Sequence, residues 1–105
     1  MQQEIDSFLS YLALDKGFSA NTIAAYRNDL GQCRGFLKEE MARQGREPRW
    51  QAVDYGSLVS YFVHLKEKDY ATTTVARKLA AAKSFFHFLR SEGILEQDPS
   101  DNLAS

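Results

Sequence analysis

The chain of 105 residues has one cysteine and two histidines, and this scarcity of reactive side chains excludes several kinds of site. A single cysteine, Cys33, forms no intramolecular disulfide and offers no metal-binding cluster. His64 and His87 fall in different predicted helices, and neither a spaced carboxylate pair nor a glycine-rich phosphate loop accompanies them. His87 and Arg90 spell H-x-x-R, a pattern too common by chance to assign. We therefore expect no catalytic residue, no metal site and no cofactor.

Long apolar runs and an excess of one charge are also absent. No segment approaches the roughly 18 apolar residues that a membrane-spanning helix needs, and no charged and apolar leader opens the chain. The 13 basic side chains nearly balance the 14 acidic ones, for a net charge of −1. This balance argues against nonspecific polybasic binding but permits a local basic face. We expect a soluble, cytoplasmic domain that does not bind membranes.

Apolar side chains recur at helical spacing in four segments, which predicts helices over residues 2–16, 20–43, 55–68 and 70–93. No segment alternates with a period of two, so the predicted class is all-α. The first two helices and the last two are joined by short connections, which predicts two antiparallel helical hairpins. We expect one domain over residues 1–95, and the polar segment 96–105 reads as the start of a linker.

The last predicted helix has two distinct faces. Its expected core stripe is Val75, Leu79, Ala82, Phe86 and Leu89, and its opposite face is Thr73, Arg77, Ala80, Ala81 and Ser84. From residue 70 to residue 91 the segment has four Lys or Arg side chains and no acid. Hydroxyls, slim side chains and cations suit a helix that lies against a phosphate backbone. An ordinary solvated face is the alternative.

The second predicted helix repeats these features at an offset of 52 residues. Its outer face is equally slim and polar, with Asn21, Ala25, Asn28 and Gln32. Thr22 and Thr74 occupy the same position in the first turns of the two helices, where free backbone N–H groups and the helix dipole favour an anion. Local capping is the alternative role for both. Two glycines within the helix, Gly31 and Gly35, each cost about 1 kcal/mol relative to alanine, so we expect a close neighbour there.

Arginine 77 is the candidate for reading bases, since a guanidinium can donate to guanine O6 and N7 in a major groove. Lys78 lies beside the core stripe of the same helix, and a phosphate contact is its predicted role. A solvated cation is the alternative for each of them.

Two ordered signatures resemble the N-terminal SAM-like, core-binding domain of tyrosine recombinases, the Xer-like phage integrases. The family pattern G-[LF]-S-x-x-T-x-x-x-Y-x-x-D-L is filled at every stated position by residues 17–30. The second signature resembles residues 70–79 and 83–89, followed by Gly93-Ile94 and Asp98-Pro99. The resemblance covers essentially the whole chain.

This resemblance implies a bundle of four or five helices that forms half of a C-shaped clamp around double-stranded DNA. It implies that the second and fourth helices enter the major groove, and that other recombinase subunits are partners. The catalytic residues of such proteins belong to a separate C-terminal domain, so this chain alone is not expected to be an enzyme. The implied DNA-binding residues are Ser19, Asn21, Thr22, Ala25, Asn28, Thr73, Thr74, Arg77, Lys78 and Ser84.

Within that set, the family pattern implies that Thr22 and Thr74 contact phosphates. It implies that Arg77, Thr73 and Ala25 face bases and that Ser19 caps its helix. Where the family usually has glycine and serine before the fourth helix, this chain has Asp69 and Ala71. The substitutions weaken the cap and bring an acid near the implied phosphate site.

A different class of function is a helical protein-interaction module. Phe36 and Phe88 lie away from the expected core stripes at equivalent places in the repeat. If both rings are exposed, they could anchor a partner protein. In a recombinase domain, they would instead pack against the first and third helices or against a further domain. An independent helix-turn-helix regulator is a third possibility, and the length of the helices argues against it.

Overall fold

The computed structural model describes residues 1–103. It has four α-helices: α1 (Gln2–Leu14), α2 (Ala20–Arg43), α3 (Tyr55–Lys66) and α4 (Thr72–Ser91), with a short 3₁₀ helix at Trp50–Ala52. No β-strand occurs within those 103 residues, so the prediction of an all-α fold is confirmed. The helices α1 and α3 each end two residues before their predicted ends. None of the described helices has an apolar stretch long enough to cross a bilayer.

The helices α2 and α4 form the centre of the bundle, since they contact each other and each also contacts α1 and α3. Aromatic rings from several elements pack together in the core of the bundle. Trp50 lies 4.8 Å from Phe85 between ring centroids, and Phe8 lies 5.6 Å from Phe85. The Trp50 indole N–H donates to the carbonyl of Met1 at 2.9 Å. Trp50 is thus part of the core, and it ties the amino terminus to the loop before α3.

The turns before α2 and α4 have the same backbone shape. Gly17 and Asp69, which are 52 residues apart, both have a left-handed φ, of 67° and 63°. Glycine adopts this conformation without a steric cost, and aspartate is one of the few other residues that tolerate it. Gly93 ends α4 in the same left-handed conformation, as its sequence position predicts. The internal repeat therefore extends to backbone geometry.

The buried face of α4 is wider than the predicted stripe. Lys78, Ala81 and Phe85 are buried, whereas Leu79 is only half-buried. The assignment of Ala81 to the open face was wrong, because α4 packs against three helices rather than one. A helix with three neighbours buries more of its circumference than a surface helix with a single apolar stripe.

The polar segment after residue 95 packs against the bundle. Ser100 is buried, and its backbone N–H and hydroxyl both donate to Asp98 Oδ1, at 2.8 and 2.6 Å. The Lys83 ammonium donates to the carbonyl of Leu103 at 2.8 Å. The predicted linker over residues 96–105 thus includes a folded turn, and its last two residues lie outside the described part of the chain. The domain boundary at residue 95 stays a prediction.

Candidate functional site

A groove of about 350 Å³ runs between α2 and α4. Four of the predicted site residues line it, namely Asn21, Thr22, Ala25 and Arg77, together with Tyr26, Asp29, Ala80 and Ala81. Three of the lining residues are alanines, whose short side chains keep the walls of the groove low. The two helices that the repeat relates therefore contribute to a single concave surface.

A buried carboxylate forms the floor of this groove. Asp29 is 2% exposed and accepts three hydrogen bonds. Its Oδ2 accepts from Arg77 Nε at 3.0 Å, and its Oδ1 accepts from Arg77 Nη2 at 3.0 Å and from Lys78 Nζ at 2.9 Å. Two parallel bonds from one guanidinium to one carboxylate form the bidentate fork that fixes an arginine most firmly. The cluster joins α2 to α4 across the groove.

The electrostatics of the cluster follow from these contacts. Burial alone would raise the pKa of Asp29, but the hydrogen bonds from Arg77 and Lys78 and their positive charges lower it below its ordinary value. The same carboxylate raises the pKa of Arg77 through those hydrogen bonds and its charge. The cluster joins one carboxylate to a guanidinium and an ammonium, for a formal net charge of +1. Its exposed member is Arg77, whose side chain is 55% exposed.

The role of Asp29 was not predicted from the sequence. Asp29 is one position of the family pattern over residues 17–30, and no role was inferred for it. An acid at the edge of an apolar stripe was the available signal, because a buried carboxylate nearly always requires a cation. Nothing in the spacing indicated that the cations would come from residues 48 and 49 positions later.

Lysine 78 does not have the position that was predicted for it. The residue is 5% exposed, its ammonium donates to Asp29, and the same nitrogen lies 5.3 Å from the centroid of the Tyr70 ring. This environment satisfies the ammonium inside the protein and leaves it no open path to a phosphate. The structure therefore does not support the phosphate contact that was predicted for Lys78.

The first turns of α2 and α4 differ in their caps, and of the two only the first turn of α2 lines the groove, with Asn21 and Thr22. Ser19 caps α2, as predicted: its Oγ accepts from the Thr22 N–H at 3.2 Å and lies 3.0 Å from Thr22 Oγ1. Ala71 begins α4 and has no side chain that can cap it. Thr73 is exposed and Thr74 is half-buried at that end. The first turn of α4 thus offers hydroxyls beside N–H groups that no side chain caps.

Two other predicted residues are on the surface but do not line the groove. Asn28 is exposed on α2. Ser84 is exposed on α4 and lines a separate cleft with residues of α1, including Tyr11. Gly31 and Gly35 have no protein atom within 4 Å of an added Cβ, so nothing in the described chain makes the expected close approach.

The aromatic rings proposed as anchors for a partner protein are half-buried within this chain. The Phe36 ring lies 4.7 Å from that of His64 and 5.5 Å from that of Tyr61 on α3. The Phe88 ring lies 5.2 Å from the rings of both Phe8 and Tyr11 on α1. The interpretation as a protein-interaction module requires both rings to be exposed and is contradicted, whereas the packing of Phe36 on α3 and of Phe88 on α1 is what the interpretation as a recombinase domain predicts.

A metal-binding cluster and a reactive thiol were the two kinds of site to look for in the described part of the chain. Residues 1–103 contain no group of three or more His, Cys, Asp or Glu side chains placed to hold a metal ion. Cys33 is 1% exposed, and burial raises the pKa of its thiol to about 12. A thiol with that pKa is protonated at neutral pH and is a poor nucleophile.

Comparison with known proteins gives a family and a set of relatives. Residues 5–93 match the family described as phage integrase, N-terminal SAM-like domain. The chain is 42% identical over its whole length to the tyrosine recombinase XerC of Herpetosiphon aurantiacus, where it covers 33% of that protein. It is also 42% identical to XerC of Roseiflexus sp. strain RS-1, covering 32% of it, and 36% identical over 92 residues to XerC of Listeria welshimeri, covering 29%. The chain thus spans about a third of the length of these relatives. No solved structure gives a significant match.

Proposed function

Because this chain belongs to the phage integrase N-terminal SAM-like domain family, we propose that it binds double-stranded DNA as part of a tyrosine recombinase. The groove between α2 and α4 is the proposed contact surface. The observation that carries the proposal is the meeting of Asn21, Thr22, Ala25 and Arg77 in one groove with slim walls.

Arginine 77 is the proposed base-reading residue. Its Nε and one Nη2 proton are bound to Asp29, which leaves the two Nη1 protons and the second Nη2 proton for a ligand. Those remaining donors can form a second bidentate pair, with guanine O6 and N7. Ala25 and Thr73 are short enough to let the edges of the neighbouring bases approach, and an alanine methyl can contact the methyl group of a thymine.

The helix N-termini are the proposed phosphate contacts. Thr22 and Thr74 are the third residues of their helices, after Ser19 and Ala71. A phosphate at either end would accept from backbone N–H groups and a hydroxyl, and the helix dipole would favour it. Asn21, Asn28 and Ser84, which are exposed on the same two helices, are proposed to contact the DNA backbone on either side.

The remaining steps of recombination belong to parts of the protein beyond this chain. We propose that a separate catalytic domain and other recombinase subunits complete the clamp around the DNA. A nearly neutral domain that covers one side of a duplex should bind weakly, and its affinity should fall steeply with salt concentration.

Two pairs of variants test the roles of these residues in duplex binding. Arg77→Ala should lower the discrimination between duplexes that differ at one guanine by about 1–3 kcal/mol. Thr74→Ala should weaken binding to every duplex alike and leave the salt dependence unchanged, because a neutral hydroxyl neutralises no phosphate charge. Arg90→Ala and Ser60→Ala are the matched controls, since they remove an exposed cation from the same helix and an exposed hydroxyl from α3.

Fluorescence anisotropy over a range of salt concentrations separates the two effects. If Arg77→Ala changes only the salt dependence, Arg77 contacts a phosphate instead of a base. If neither Arg77→Ala nor Thr74→Ala differs from its control, the groove is not the DNA contact surface.

A further inference from the structure

Asp29 holds one edge of the arginine that lines the α2–α4 groove. We infer that Asp29 is a positioning residue for sequence recognition: it fixes the direction in which Arg77 presents its remaining donors to a base. The inference rests on the proposed function, because it concerns how the same groove distinguishes one duplex sequence from another.

The geometry of the fork determines the direction of the guanidinium. Nε and Nη2 of Arg77 are each 3.0 Å from a different oxygen of Asp29, so the planar group can neither rotate about its last bond nor tilt. The carboxylate is 2% exposed and the arginine side chain is 55% exposed. The fork is therefore anchored in the interior, and its opposite edge faces the open groove.

Lysine 78 keeps this arrangement positively charged. Its ammonium donates to Oδ1 of Asp29 at 2.9 Å and lies in the interior beside the Tyr70 ring. A pair of Asp29 and Arg77 alone would be neutral. With Lys78 balancing the carboxylate, the exposed guanidinium acts toward a ligand as an uncompensated cation.

A held arginine recognises a base differently from a free one. A flexible arginine loses rotamer freedom on binding and can move to a phosphate when the base is wrong. An arginine held by a buried carboxylate has lost that freedom before binding, and it cannot follow a displaced acceptor. Discrimination should therefore depend on Asp29, although Asp29 has no surface that could touch DNA.

A charge-neutral double variant removes the fork and leaves Arg77 in place. Asp29→Asn combined with Lys78→Met removes one buried anion and one buried cation, so the net charge is unchanged. Asparagine has a single acceptor oxygen and cannot accept the fork. The matched control is Glu40→Gln with Arg43→Met, which applies the same change to an exposed ion pair on α2.

Two measurements are made on these variants, with a randomised duplex pool as the DNA probe. Selection identifies the base at which Arg77→Ala loses its preference, and competition binding then gives the discrimination at that base. We expect the double variant to lose about 5- to 150-fold in discrimination, as much as Arg77→Ala does, with unchanged affinity and salt dependence on mixed-sequence DNA. In the free protein, the proton on Arg77 Nε should exchange with water much faster in the double variant than in the wild type, which ¹H–¹⁵N NMR measures.

Arg77→Lys gives a second test at an exposed position, where folding is not at risk. The lysine keeps the positive charge at position 77 opposite the carboxylate of Asp29 but cannot form the fork, so the variant should lose as much discrimination between bases as the double variant does. Wild-type discrimination in either variant, beside a loss in Arg77→Ala, would overturn the role of Asp29 and leave the proposed function intact. Full discrimination in Arg77→Ala itself would overturn both.

Discussion

The buried ion cluster gives the sharpest prediction about the stability of this fold. Asp29 and Lys78 are 2% and 5% exposed, so neither charge can regain water if the other is removed. Asp29→Asn leaves the Lys78 ammonium buried without an anion, and breaking a buried pair in this way costs about 3–5 kcal/mol. Lys78→Met leaves Asp29 with both hydrogen bonds from Arg77 and removes one charge-assisted bond, which costs about 1.5–3 kcal/mol.

The double variant should be more stable than the sum of these losses indicates. Replacing a buried pair by neutral groups of similar size is often neutral, and we expect Asp29→Asn with Lys78→Met to lie within about 2 kcal/mol of the wild type. The two single losses sum to about 4.5–8 kcal/mol. The two sites should therefore show a coupling of at least about 2.5 kcal/mol.

Urea unfolding followed by circular dichroism measures all four proteins, since a domain of this size is expected to unfold in two states. Each kcal/mol corresponds to about 4–8 °C in melting temperature, so Asp29→Asn should melt at least about 12 °C lower. The control double variant, Glu40→Gln with Arg43→Met, should change stability by no more than about 1 kcal/mol because its Arg43 is well exposed. Additive losses at Asp29 and Lys78 would refute the reasoning, because two side chains that form a pair cannot contribute independently.

Three further predictions concern single features of the fold. Tyr61 is fully buried and its hydroxyl has no hydrogen-bond partner among residues 1–103, so Tyr61→Phe should raise the free energy of unfolding by about 1 kcal/mol; a loss in urea denaturation would reveal a partner for the hydroxyl. Ala71→Ser should add the missing cap of α4, increase the free energy of unfolding by about 0.5–2 kcal/mol and so raise the melting temperature. An unchanged or lower melting temperature would contradict the cap assignment. The lowered pKa of Asp29 predicts a stabilisation that is complete above the unfolded-state value of about 3.9 and is lost as the pH falls through the folded-state pKa. When the free energy of unfolding is measured at decreasing pH, it should fall less in the Asp29→Asn, Lys78→Met double variant than in the wild type. An identical dependence on pH in both proteins would argue against a lowered pKa of Asp29.

The fold was largely predictable because its signals are local. The apolar spacing predicted the bounds of α2 correctly, and the glycines just beyond α1 and α4, Gly17 and Gly93, have the left-handed φ that is typical of glycine at a helix end. Ser19 was recognised as a cap because a cap lies within one turn of the helix that it begins.

The parts that were missed depend on contacts between distant segments. The partners of Asp29 and the burial of Lys78 arise where α2 crosses α4, and no periodicity within one helix encodes that crossing. Phe36 and Phe88 lie off the stripes of their own helices, and the sequence left open whether each ring is exposed or packs against another helix; α3 covers Phe36 and α1 covers Phe88. A stripe predicts the first neighbour of a helix and not its second or third.

The internal repeat relates the first turns of the two helices that form the groove. The repeat at an offset of 52 brought Thr22 and Thr74 into equivalence, and the structure has matching left-handed turns before both helices. It could not indicate that two of the five N–H donors of Arg77 are already bound to a buried acid.

The most direct test of the account is an NMR titration of this chain with duplex DNA at low salt, followed by amide chemical shifts. The account predicts that the largest changes fall on the first turns of α2 and α4 and on the groove between them, at Asn21, Thr22, Ala25, Thr73 and Arg77. Changes confined to α1 and α3, with the groove unaffected, would contradict it.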